Sequence, residues 1–281
     1  MVILKTLDEL LRWRAAIGSS QSIGFVPTMG ALHEGHLSLV KKSMDECDVS
    51  CVSIFINPKQ FGDGEDLESY PQDLDEDLKK INKMGAEAVF VPKNNDIYSK
   101  DDSLLLTETK LSMVLEGKSR PQFFSGVLTV VSKLFNLVQP TSAYFGMKDA
   151  QQLIIIQKMV DDMKYPINIV PCKTVREHNG LAMSSRNEYL NREERDSAKI
   201  IYLSLLHAKQ LIHSGESNSK TIKGEIENMI LSVSGFNIDY ISIADSKTLL
   251  ELDGNVTTNS GAIVSLAVFL NEVRLIDNIY I

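Results

Sequence analysis

The chain has 281 residues, 43% of them hydrophobic and 23% charged, with a net charge of −8 at pH 7. That supplies a sizeable core at a length that favours two domains, and the acidic balance argues against nucleic acid as a main partner, because phosphate backbones are bound by the opposite charge. Three cysteines without a C-x-x-C pair read as reduced thiols of a cytoplasmic protein, no signal peptide is visible, and no run reaches the roughly 20 apolar residues of a membrane span.

Thr6-Leu7-Asp8-Glu9 has capping-box spacing, and the apolar pattern as far as Ile17 predicts a first helix. Residues 23–26 read as a short buried strand stopped by Pro27. Residues 30–44, carrying Leu37, Leu39 and Val40, read as a helix. The β-branched run 49–56 predicts a second strand that ends at Asn57-Pro58. Residues 73–84 open with Asp-x-x-Glu and close at Gly85, the start and stop signals of a helix. A third strand is expected at 88–91, a helix at 125–138, a fourth strand at 143–145, a helix at 149–163 and a fifth strand at 167–171. This alternation predicts an α/β fold, a Rossmann-like doubly wound parallel sheet with helices on both faces. After about Val175 the rhythm changes. Helices at 192–212 and 219–233 precede strands near 238–243, 262–270 and 273–280, which predicts a second, smaller α+β domain, 176–281, after a first domain of 1–175.

Ligands of such sheets bind beyond the carboxyl ends of the strands. Residues 27–36, 57–61 and 146–152 each follow directly on a predicted strand, so the chemistry-bearing residues gather at one edge. In the first of these, His33 and His36 stand three apart at a predicted helix start, where both can face an anion beside unpaired N–H groups and the positive end of the dipole. Gly35 between them lets a flat group approach the backbone. A zinc pair lacks a third ligand of evident spacing. Read as residues alone, Asn57-Pro58 is a turn, Asp149 a helix cap and Ser184-Ser185-Arg186 a solvated loop.

Pro27-Thr28-Met29-Gly30-Ala31-Leu32-His33-Glu34-Gly35-His36 resembles the nucleotide-binding opening of pantothenate synthetases, related to the H-x-G-H of nucleotidyltransferases. The resemblance continues in order through Phe55-Ile56-Asn57-Pro58-Lys59-Gln60-Phe61, Gly146-Met147-Lys148-Asp149-Ala150-Gln151-Gln152 and Met183-Ser184-Ser185-Arg186-Asn187, over nearly the whole chain. It implies an ATP-dependent ligase that joins (R)-pantoate to β-alanine through a pantoyl adenylate, with Mg²⁺, as a homodimer whose second domain closes as a lid. The implied ATP site comprises Met29, Gly30, Ala31, Leu32, His33, Glu34, Gly35, His36, Gly146, Met147, Lys148, Asp149, Val175, Met183, Ser184, Ser185 and Arg186. Pantoate is implied at Gln60, Gln152 and Asn57, and catalysis at His36, His33, Lys148 and Arg186. The chain departs from the family pattern at Gln122-Phe123, where relatives carry Gly-His, at Asn179, commonly Asp, and at Met147, often Glu. A phosphate-ester adenylyltransferase should present a basic acceptor site where this chain has amides, and a nucleotide sensor would leave Gln60 and Gln152 without a purpose.

Overall fold

A computed structural model describes residues 1–256 and 261–281. The chain divides into two compact units: residues 1–109, 120–147 and 152–173 form the first, and residues 110–119, 148–151 and 174–281 the second.

The first unit is built on a six-stranded parallel sheet in the order β1-β4-β3-β2-β5-β6. The strands are β1 Val2–Leu4, β2 Ile23–Thr28, β3 Val49–Ile54, β4 Ala88–Phe90, β5 Ser142–Gly146 and β6 Asn168–Cys172. All six residues of β3 are buried, as a central strand covered on both faces requires. The helices in chain order are α1 Leu7–Ala16, α2 Glu34–Glu46, α3 Leu74–Met84, α4 Asn94–Ile97, α5 Glu116–Ser119, α6 Phe123–Val138 and α7 Ala150–Met163, of which α5 and the first residues of α7 belong to the second unit. One face of the sheet carries a core of Val26, Val40, Val52, Ile81, Val89 and Tyr144. The chain order reverses between β2 and β5, the switch point where doubly wound sheets open a crevice.

The second unit contains α8 Arg192–Ser197, α9 Lys199–His213 and α10 Ser219–Leu231, with an antiparallel sheet of β7 Phe236–Asp245, β8 Ala262–Leu270 and β9 Val273–Tyr280. Ile201, Leu205, Ile222, Ile226, Ile243 and Leu266 lie in its core.

Three sequence expectations need correction, and one strand was missed. Strand β1 is absent from the sequence reading, because three residues with two exposed carry no readable alternation. Pro27 does not stop β2, which pairs with β3 through Thr28. The β2–β5 register covers only Gly24 and Phe25, so the N–H that Pro27 lacks is never needed on that side. Helix α2 starts at Glu34 and not at Gly30, since Gly30 (φ 86°) and Ala31 (φ 49°) are left-handed. The helix expected at 192–212 is broken at Ala198.

Candidate active site

The histidine loop leaves the carboxyl end of β2. The Thr28 hydroxyl donates to the Ser53 carbonyl (2.8 Å) and accepts from the Gly30 N–H (3.3 Å), which turns the chain into its left-handed pair of residues. Asp77 of α3 accepts the Leu32 N–H at 2.7 Å, and Lys80 donates to the Leu32 carbonyl at 2.8 Å. The Leu32 backbone is thereby held on both sides by one helix. Burial pushes the Asp77 carboxyl above its usual range, opposed by the N–H groups of Leu32 and Ala31.

His33 then caps α2. Its Nδ1 accepts the Gly35 N–H at 3.1 Å, and the Nδ1 of His36 accepts the His33 N–H at 3.4 Å, with the rings 4.1 Å apart between centroids. An imidazole nitrogen that accepts a hydrogen bond carries no proton, so these contacts assign the neutral tautomer with hydrogen on Nε2 to both rings. The two histidines therefore satisfy the helix start with Nδ1 and keep a donor at Nε2. The sequence spacing suggests one helical face for both; they stand instead at the cap and at the third helical position.

Beyond β3, Asn57 and Gln60 are buried, at 1% and 8% exposure. Asn57 donates to the Gln60 Oε1 (3.0 Å) and to the Gly126 carbonyl (3.1 Å), and Gln60 Nε2 donates to the Met29 sulfur (2.9 Å). Arg120 donates to the Gln60 carbonyl at 3.3 Å while its guanidinium pairs with Glu65. Gly126 makes the close approach of α6 possible: a Cβ there would lie 2.1 Å from the Lys59 carbonyl oxygen. A cavity of about 270 Å³ lies at the carboxyl ends of β2, β3 and β4, bordered by Met29, Gly30, Phe55 and Asp77.

Past β5, Met147–Asp149 form a single 3-10 turn before α7, where Gln152 is half-buried. In the second unit, the Lys148 ammonium lies 3.7 Å from Asp149, and its carbonyl accepts from Asn278 (2.8 Å). Gln151 is fully engaged: Nε2 donates to the carbonyls of Leu111 and Val114, and Oε1 accepts the Glu116 N–H. Its amide holds the segment 111–116.

Residues 175–183 form a hairpin, with Met183 N–H donating to the Val175 carbonyl (3.0 Å) and Glu177 N–H to the Leu181 carbonyl (2.8 Å). It turns at Gly180 (φ 95°), where a Cβ would lie 2.8 Å from the Tyr202 ring. Arg176 is fixed by two bonds to Asp277 (2.6 and 3.0 Å). Ser184 accepts the Arg186 N–H (3.3 Å) and opens the 3-10 turn Ser185–Tyr189. Asn187 donates to Glu177 (2.8 Å) and to the Ala182 carbonyl (3.0 Å).

The first unit thus holds Met29 to His36, Asn57, Gln60, Gly146, Met147 and Gln152, and the second holds Lys148, Asp149, Val175 and Met183 to Arg186. Among the described residues no group of three or more His, Cys, Asp or Glu side chains is arranged to hold a metal ion, and no helix is long and apolar enough to cross a membrane. Two of the sequence departures have local uses. Phe123 lies under the Arg120 guanidinium at 4.0 Å, and the Asn179 amide spans the Arg195 carbonyl (2.8 Å) and the Leu181 N–H (3.0 Å). Sequence reasoning missed Asp77, Tyr98, Arg120 and Gly126 as supports of the site. Asp77 had a signal, a carboxylate at i−4 from Ile81 on the apolar side of α3. Tyr98 had none.

Comparison with known proteins agrees in breadth. The family model described as pantoate-beta-alanine ligase matches residues 2–280. The pantothenate synthetase of Fervidobacterium nodosum is 46% identical, with 100% of this chain and 99% of that protein covered. That of Thermosipho africanus is 47% identical over the whole of both. The solved pantothenate synthetase of Thermus thermophilus superposes with a TM-score of 0.93 at 41% identity, covering 99% of each chain. A pantoate-beta-alanine ligase of Francisella tularensis, solved in complex with beta-gamma ATP and beta-alanine, gives 0.83 at 35% identity, covering 99% of this chain and 97% of that one. Matches that run the length of both chains, over a sheet and loops of the same order, establish that the chain belongs to the pantoate-beta-alanine ligase family of enzymes.

Proposed function

We propose that this enzyme condenses (R)-pantoate with β-alanine at the expense of ATP, forming pantothenate, AMP and pyrophosphate through a pantoyl adenylate. The observation that carries the reading is the pair of histidines whose Nδ1 atoms are taken by backbone N–H groups, which makes Nε2–H the donor of each ring at the start of a 13-residue helix. Neutral imidazole donors at a helix N-terminus suit phosphate oxygens. Buried amides in the same unit, at Asn57 and Gln60, suit an acid bearing hydroxyls.

Pantoate is ionised at neutral pH, so its attack on the α-phosphate needs no general base. It needs in-line positioning and relief of the charge that builds on the phosphates. His33 and His36 supply hydrogen bonds, Lys148 and Arg186 supply charge, and Ser184 and Ser185 supply hydroxyls. Met29 to Leu32, Glu34, Gly35, Gly146, Met147, Asp149, Val175 and Met183 line the nucleotide in this reading, and Gln60, Gln152 and Asn57 hold pantoate. Magnesium arrives with the triphosphate, which supplies most of its oxygen ligands, so few protein carboxylates are required. In the second half, β-alanine attacks as the free amine, and the C-terminal unit keeps water from the adenylate as a lid. The ATP and β-alanine named in the Francisella tularensis complex support these two substrates. The reading includes a cytoplasmic homodimer.

The test is pyrophosphate release from ATP with pantoate alone, followed by AMP release only when β-alanine is added. Release that ignores pantoate, or AMP that appears without the amine, contradicts the proposal.

A further inference from the structure

The orientation of the Gln60 amide is not a free choice of the side chain. Tyr98, at 5% exposure, donates its phenolic hydrogen to the Asn57 Oδ1 at 2.7 Å, and the Lys59 N–H donates to the same oxygen at 3.3 Å. Burial holds the Tyr98 phenol protonated, raising its pKa above the usual value. With two donors on its oxygen, Asn57 must turn its NH₂ the other way, toward the Gln60 Oε1 (3.0 Å) and the Gly126 carbonyl (3.1 Å). A flipped Asn57 would set its NH₂ against the Lys59 N–H and its oxygen against the Gly126 carbonyl. Gln60 therefore keeps Oε1 inward and presents Nε2, which donates to the Met29 sulfur at 2.9 Å. A thioether is a weak acceptor, so a ligand oxygen displaces it readily. The ring of Tyr98 is itself pinned, with the Lys59 and Lys133 ammoniums 4.3 and 5.1 Å from its centroid and Asp102 paired with both lysines.

We propose that Tyr98 is a positioning residue for acid specificity: acting through Asn57, it fixes the Gln60 amide with its N–H donors toward the substrate, so that the pocket accepts a carboxylate or hydroxyl oxygen and rejects a donor at that point. The inference rests on the assignment of Gln60 to the acid site. It extends that assignment by naming what decides which end of the amide the substrate meets.

Tyr98→Phe removes one oxygen and leaves the ring in place. The expected result is a pantoate KM raised roughly five- to thirtyfold, as for a buried acceptor that loses one of its donors, with the KM for ATP and the melting temperature nearly unchanged. The same substitution in a Gln60→Ala background should add nothing further, because the group it orients is gone. An equal rise for both substrates, or an additive double variant, overturns the proposal. Gln60→Glu is a second test that does not depend on Tyr98→Phe folding. Its carboxylate still accepts from Asn57 but offers the substrate an acceptor, so pantoate should bind worse than it does to Gln60→Ala. Tighter pantoate binding by Gln60→Glu than by Gln60→Ala also overturns the idea. If Gln60→Ala alone leaves the pantoate KM unchanged, the acid-site assignment fails, and that result is distinguishable from failure of the Tyr98 link.

Discussion

The histidine loop of the first unit and the serine–arginine loop of the second use the same local device and are anchored in different ways. In each, a side chain accepts the N–H two residues ahead: His33 from Gly35, and Ser184 from Arg186. The first opens a helix of 13 residues and is held through its backbone, by the left-handed Gly30 and Ala31 and by Asp77 and Lys80 on either side of Leu32. The second opens a five-residue 3-10 turn and is held through side chains, chiefly by Asn187 to Glu177, which in turn pairs with Arg195 at the surface. A buried oxygen of Asn187 has no hydrogen-bond partner among the described residues. A long helix contributes a dipole and several oriented N–H groups before any ligand arrives, and a short turn contributes little of either. Under the proposed function, this contrast makes the first loop the one set in advance for an anion and the second the one that supplies charge afterwards.

The largest expected effect breaks the first loop at its donor. His36→Ala should lower pantoate-dependent pyrophosphate release by about 100-fold or more, a typical loss for one transition-state donor, while circular dichroism shows the fold retained. Unchanged release removes His36 from the mechanism. Asp77→Ala tests the anchoring and not the donor. It leaves the Leu32 N–H without its acceptor and should cut the same rate by about tenfold, at a stability cost of about 2 kcal/mol, as read by single-turnover kinetics and urea unfolding. Asn187→Ala addresses the second loop. It should raise the KM for ATP by about threefold with little change in the rate at saturation, because it removes uniform binding. A fall in the saturated rate larger than that of Asp77→Ala would invert the comparison.

What could be read in the sequence follows the same division. Five of the six strands of the first sheet, its longer helices and the three C-terminal strands were legible because buried strands and amphipathic helices announce themselves by period, as in the fully buried β3 and the capped helix that ends on left-handed Gly85. The candidate residues were legible through their motifs. Their supports were not. Gly126 is required because the Lys59 carbonyl oxygen, carried on the turn that follows β3, comes within 2.1 Å of where its Cβ would stand. The link from Tyr98 to Asn57 likewise spans 41 residues. Such partners are fixed by tertiary approach, and local pattern carries no trace of them. Gln151 and Gln152 show the limit from the other side. They are adjacent and identical in type, yet the amide of Gln151 is consumed by the segment 111–116, a distinction made only by which way each points from α7.

The smallest expected effect concerns the lysine pair beside Tyr98. The hydrogen bond from Lys133, with the nearby charge of that lysine and of Lys59, holds the Asp102 carboxyl below the usual carboxylate range. The folded state therefore binds this proton less readily than the unfolded chain. The resulting stabilisation is complete above about pH 4, the ordinary carboxylate value, and is lost as pH falls through the lower folded value. Below that, Lys59 and Lys133 face each other and the Tyr98 ring without a counter-charge. Asp102→Asn removes the titrating group, so the difference in urea midpoint between the parent and the variant should be greatest near neutrality and shrink on acidification. A difference independent of pH would mean that Asp102 acts through its shape alone, and that the cations over Tyr98 are held by their contacts with the ring.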